Sequence, residues 1–242
     1  MSREHGAGVT LIICFLLGVA LAENWRMETN LALVSAFAGF QFPIPITRIM
    51  RHRKIELRLA LWAIIYGLAA VLSTLWLWLR VPAVDRVIAV AAVILLINLI
   101  WVYLRDQKSI PNELSVFLGL CLALPFSYTA SSGYMVQDLL GWWLLATLIL
   151  SSTVFTVRLR LFGEVAMAKA AAYHIIALSI ILFLVRAQVL TPGLAYIFLL
   201  PLVKLIAILY YLDHYRKLKL TTIGFMETGL TILFAVLVLL AV

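Results

Sequence analysis

The chain has 242 residues, of which 65% are hydrophobic and only 12% charged, with a formal net charge of +8 and a mean hydropathy of +1.10. This balance excludes a water-soluble domain, because a chain so poor in polar surface uses lipid as its main solvent. In a soluble protein the surplus charge would suggest nucleic acid; here it is explained by loops that meet an anionic leaflet, and no nucleic-acid partner is expected.

A hydrocarbon core about 30 Å thick takes roughly 20 helical residues to cross. Nine runs qualify in chain order: Ala7 to Ala22, Glu28 to Thr47, Leu57 to Leu79, Val84 to Leu104, Pro111 to Ser131, Gln137 to Val157, Ala168 to Arg186, Pro192 to Leu212 and Thr221 to Val242. They are continuous rather than alternating, and a lipid-facing backbone must satisfy its own hydrogen bonds, so helices are predicted and not a barrel. The expected fold is all-α: a polytopic bundle of nine transmembrane helices forming one domain over residues 1–242. Leu21-Ala22-Glu23-Asn24 makes a poor small-residue cleavage site, so the first run reads as a retained helix.

The basic residues fall into every second gap between the runs. One set of gaps holds Arg3, then Arg48, Arg51, Arg53, Lys54 and Arg58, then Arg105 and Lys108, then Arg158, Arg160 and Lys169, and last Arg216, Lys217 and Lys219. The opposite gaps hold Arg26, Arg80, Arg86 and Arg186. Cytoplasmic loops are enriched in Lys and Arg, so the N-terminus is expected in the cytoplasm and the C-terminus outside.

Pro43 and Pro45 lie late in the second run, Pro125 midway through the fifth and Pro201 midway through the eighth. Each removes a backbone donor and is expected to kink its helix. Cys14 and Cys121 lie within runs, where cysteine acts as a small apolar residue.

Ionisable groups inside spans are costly unless paired or hydrated, so they point to sites. Lys204 lies about eight residues, roughly 12 Å, from the basic end of the eighth run, and Glu227 about six residues, roughly 9 Å, from the same side in the ninth. His174 is about six residues into the seventh, beside Tyr173. With His5, Glu113 and Arg158 nearer the surface, these residues form a candidate polar pocket open to the cytoplasm. The alternative is structural: a buried Lys204 to Glu227 pair joining two helices, with His174 hydrogen-bonded in the core. His5, His52, His174 and His214 form no four-residue helical pair, which gives no support to zinc or bis-His haem. No Gly-rich phosphate loop or nucleophile elbow is present.

Arg3-Glu4-His5-Gly6-Ala7, followed directly by an apolar run, resembles the start of the YwiC-like family of bacterial membrane proteins. Asn112-Glu113-Leu114, Val157-Arg158-Leu159-Arg160, Tyr173-His174 with Ala177-Leu178, and Ile223-Gly224-Phe225-Met226-Glu227 extend that resemblance along nearly the whole chain. It implies a multi-pass protein of the bacterial cytoplasmic membrane, and the family has no established activity. Nine helices with a cytoplasmic N-terminus also look like the UbiA-type prenyltransferases, whose resemblance implies two Asp-rich motifs holding magnesium in the loops after the second and sixth helices. Here those places read Thr47-Arg48-Ile49-Met50-Arg51-His52-Arg53-Lys54 and Arg158-Leu159-Arg160-Leu161-Phe162-Gly163-Glu164. Magnesium needs carboxylate oxygens, so magnesium-dependent prenyl transfer is disfavoured, and neither a metal nor another cofactor is expected.

Three functions follow from this reading. The first is a non-catalytic subunit or assembly partner of a larger membrane complex, with a lipid or quinone in a cytoplasmic-side cavity compatible with it. The second is a divergent UbiA-like prenyltransferase or isoprenoid-binding enzyme. The third is a small-solute or proton-coupled transporter that uses the intramembrane Lys and Glu.

Overall fold

The computed structural model describes residues 2–52, 56–104, 106 and 108–242, with the side chains of 2–5, 51 and 52 left out. All regular structure among them is helical, one of the two ways in which a backbone in lipid can satisfy its own hydrogen bonds. Seven segments are long and apolar enough to cross a bilayer. Nine crossings are not shown by that count. It diverges from the expectation in two places: 6–22 is a shorter apolar helix, and Asp138–Arg186 is one 49-residue segment that contains two helices.

The residues divide into two compact units, Gly18–Val136 and Met1–Leu17 with Gln137–Val242. Helix α1 (Ser2–Ala22) contributes to both. The first unit continues with α2 (Met27–Gln41), α3 (Pro43–His52), α4 (Leu57–Arg80), α5 (Asp85–Tyr103), α6 (Ile110–Cys121) and α7 (Ala123–Ser132). Within it α2 packs on α4 and α7, and α5 on α6. The Ile110–Ser132 segment is 67% buried, against 11% for Leu57–Arg80 and 17% for Pro82–Tyr103. The buried part is α7, whose residues 123–131 are all buried, whereas α6 buries Asn112, Leu120 and Cys121 and α4 and α5 are mostly exposed.

Every residue from Ala123 to Ser131 is buried, so the hydroxyls of α7 need internal partners. Thr129 Oγ1 donates to the Pro125 carbonyl at 2.7 Å, and Ser131 Oγ meets Thr29 Oγ1 of α2 at 2.9 Å. On α2 and α4, Ser35 Oγ and Thr74 Oγ1 are 2.5 Å apart. Each pair exchanges a solvation debt for a helix–helix bond, the usual way for Ser and Thr to join membrane helices.

The second unit contains α8 (Asp138–Phe162), α9 (Met167–Arg186), α10 (Pro192–Ala195), α11 (Leu199–Tyr210), α12 (Leu212–Lys217) and α13 (Leu220–Ala241). Helix α8 contacts α9, α11, α12 and α13, so it is the axis on which this unit is assembled. It runs five residues beyond the expected end at Val157 and stops at Gly163. Gly163 has φ +57° and ψ −133°, a conformation in which a side chain is strained, and α9 follows after a single short 3₁₀ turn.

The prolines divide spans expected to be continuous. Pro125 cannot donate to the carbonyl of Cys121, and its ring would strike that carbonyl; α6 ends at Cys121 and α7 begins two residues later. Pro201 stands in the same relation to Ile197, which lies in a 3₁₀ turn between α10 and α11. Pro43 opens α3 directly after α2.

One close approach in the second unit is testable. A Cβ at Gly141 would stand 2.2 Å from the Val189 carbonyl oxygen, and backbone cannot swing away as a side chain could. Gly141→Ala is expected to destabilise the protein by about 1–3 kcal/mol, as overpacking does, whereas Gly224→Ala, where a Cβ meets nothing within 4 Å, should be near neutral. Unfolding in detergent micelles measures both; equal stability of the two variants would contradict the close packing.

Candidate functional site

The site is built on α8, whose sequence places Thr147, Ser151, Ser152, Thr153 and Thr156 inside an otherwise apolar span. Spacings of three and four residues keep these hydroxyls near one another along the helix. Thr147 Oγ1 donates to the Trp143 carbonyl at 2.8 Å and Ser151 Oγ to the Thr147 carbonyl at 2.5 Å. Bonding back to the preceding turn satisfies a hydroxyl without leaving the helix. Thr153 and Thr156 turn instead toward α13.

There they meet Glu227. Its Oε2 accepts from Thr153 Oγ1 at 2.7 Å and from Lys204 Nζ at 3.0 Å. Its Oε1 accepts from Thr156 Oγ1 and from Lys204 Nζ, both at 3.2 Å. An ionised carboxylate offers about four lone-pair sites, and four contacts face them, the Thr156 hydroxyl being shared with the Thr153 carbonyl at 3.2 Å. Lys204 also reaches Ser152 Oγ at 3.4 Å. The Lys204 and Glu227 side chains retain 9% and 17% of their exposure, so a cation from α11 and an anion from α13 are both held on α8.

Nearby groups extend the polar face. Arg160 Nε donates to the Leu218 carbonyl at 2.9 Å, fixing the end of α8 to the turn between α12 and α13. Tyr215 of α12 is 4% exposed. Burial pushes its phenol up to about 12, and the Glu227 carboxylate adds to the rise, so the group is neutral at physiological pH.

His174 of α9 is 2% exposed. Its Nδ1–H donates to the Ala170 carbonyl at 2.8 Å, while Nε2 has no hydrogen-bond partner among the described residues. Aromatic rings border it, Tyr173 at 5.4 Å and Phe198 at 6.4 Å between centroids. Tyr173 in turn stacks on Phe155 at 4.2 Å and donates to the Leu148 carbonyl at 2.7 Å. His174 is thus a core residue that shares a unit with the ion pair and makes no bond to it.

The other expected pocket residues lie on further elements. Arg158 lies half-buried on α8. Glu113 belongs to the other unit, in the first turn of α6, where a carboxylate complements the helix dipole. The side chain of His5 lies outside the described residues. The hydroxyls of α8 were absent from the expected set, although Ser151-Ser152-Thr153 with Thr156 in a membrane span was a readable signal. Among the described residues no three His, Cys, Asp or Glu side chains gather as a metal site would need.

Removing one partner of a fully buried pair strands the other charge at about 3–5 kcal/mol, and for this part-buried pair the cost is of the same sign and smaller. Glu227→Ala is therefore expected to destabilise the protein more than the double change Lys204→Met with Glu227→Leu. Thr153→Val should cost about 1.5–3 kcal/mol, as loss of a hydrogen bond to a charged group does. Unfolding midpoints in micelles decide this: a double variant as unstable as Glu227→Ala would show that the pair is not what stabilises the helices.

The sequence profile described as YwiC-like protein matches residues 1–128. The motifs at Val157–Arg160, Tyr173–His174 and Ile223–Glu227 fall beyond that match, as does the ion pair. Comparisons with curated proteins and with solved structures find no match, and the likeness to UbiA-type prenyltransferases is not shown. A profile that covers more than half of the residues, on a chain with several membrane-length apolar helices, places this multi-pass membrane protein in the YwiC-like family.

Proposed function

We propose that the chain is a non-catalytic integral membrane protein that serves as a subunit or assembly partner of a larger complex in the bacterial cytoplasmic membrane. The observation that carries this reading is the closure of the polar cluster. Each Glu227 oxygen lies within hydrogen-bond distance of two donors, and Lys204 is committed to Glu227 and Ser152. A catalytic acid or base needs a proton within reach of a substrate, whereas these groups spend their capacity on one another and join α8, α11 and α13. Such a scaffold supplies rigid helical surface.

Two experiments test the proposal. Extraction in a mild detergent is expected to retain a stoichiometric integral-membrane partner through size exclusion; a chain that migrates alone, in its native host and at native abundance, overturns the assembly role. Orientation is tested separately. Cysteines introduced at His52 should react with an impermeant reagent from the cytoplasm, and those at Ser132 from the opposite side, as the basic-residue asymmetry requires. Reversed labelling would overturn the orientation and leave the assembly role standing.

A further inference from the structure

A groove of about 550 Å³ lies along α11, α12 and α13, within the range of volumes that hold small ligands. Its walls are aliphatic, including Val203, Ile208, Leu230 and Leu233. Gly229 lines it as well, and a Cβ there would meet nothing within 4 Å, so the glycine borders open space. On α11 and its C-cap the lining runs from Leu200 to Tyr211, a length of about 16 Å at 1.5 Å per residue. Half of a bilayer core is about 15 Å, which is the reach of one acyl chain.

The groove is polarised. One end is lined by Tyr211, His214 and Tyr215, on the segment that carries Arg216, Lys217 and Lys219 against a single acid, Asp213. All three cations are exposed and flank this end rather than line it, with the Arg216 guanidinium lying against Gly163. Farther along, the charged lining group is Lys204, and Glu227 neutralises it at 3.0 Å. An apolar tail therefore passes a wall with no net charge, while an anion at the end meets a surplus of positive charge.

We propose that this groove binds one acyl chain of an anionic glycerophospholipid, with the phosphate held at the basic end by the cations of residues 216–219. A quinone or a zwitterionic lipid could fill the apolar length, but neither brings the net negative charge that the end complements. The site is independent of the assembly role and can fail without it.

The test uses the full chain reconstituted in vesicles of equimolar phosphatidylglycerol and phosphatidylcholine, re-extracted, and analysed by native mass spectrometry. Phosphatidylglycerol is expected to remain bound in preference to phosphatidylcholine. Gly229→Phe fills the groove and should reduce retention about tenfold or more, which corresponds to about 1.4 kcal/mol, with an unchanged unfolding midpoint. Ala207→Phe, from the facing helix at an exposed position, gives the same readout if the first variant folds poorly. Lys217→Gln with Lys219→Gln should lower the preference for phosphatidylglycerol roughly fivefold per charge removed and leave total lipid retention less affected. Retention unchanged in both filled variants, or equal retention of the two lipids by the unaltered protein, would overturn the proposal.

Discussion

In hydrocarbon every polar group must find its partner inside the chain, and this requirement organises the structure more than any single contact. A buried carboxylate without partners would cost several kcal/mol even after relaxation. Glu227 avoids that cost because α8 brings two threonine hydroxyls to the place where α11 supplies a cation. The packing of α8, α11 and α13 and the satisfaction of the Glu227 carboxylate are therefore a single fact. Moving α8 by one turn would carry Thr153 and Thr156 about 5 Å from Glu227 and leave Lys204 to neutralise it alone.

The same requirement explains where the helices break. A proline frees a carbonyl one turn upstream, and lipid offers that carbonyl nothing. In α7 the freed region lies in a wholly buried stretch, where Leu122 N–H bonds back to Gly119 at 3.2 Å and Phe126 N–H to Leu122 at 3.1 Å. These bonds carry the backbone ladder up to the break at the Cys121 carbonyl and onward from it. At α10 and α11 a 3₁₀ turn does the same upstream of Pro201, and α11 then places Lys204 three residues beyond the proline. The interruption sets the starting point of the helix that carries the cation.

Much of this was legible in the residues. Apolar length and continuity alone predict a helical membrane bundle, and depth counting from the basic ends pairs Lys204 with Glu227, whose charged atoms are 3.0 Å apart. The exact crossings were less legible, since proline breaks and a 49-residue segment joined by one short turn blur the boundary between one span and two. Glu113 was grouped with the pair on the basis of depth alone. Depth fixes a residue's height in a bundle but not its angular position. The α8 hydroxyls were missed for the opposite reason. Ser and Thr inside an apolar run change its hydropathy little, yet Thr153 and Thr156, three residues apart, share a face and are well placed to hold a charge.

The ion pair also decides what its surroundings accept. A lone lysine on the wall of an apolar groove would attract an anion deep into the membrane, where desolvating that anion is expensive. Paired with Glu227, Lys204 presents its methylene stem and no net charge, and an aliphatic side chain or tail can lie against it. The positive charge available to an outside partner is thereby confined to residues 216–219 at the end of the groove. One interaction both joins three helices and separates the apolar length of the groove from its charged end, so the stability of the unit and the selectivity of its surface rest on the same two side chains.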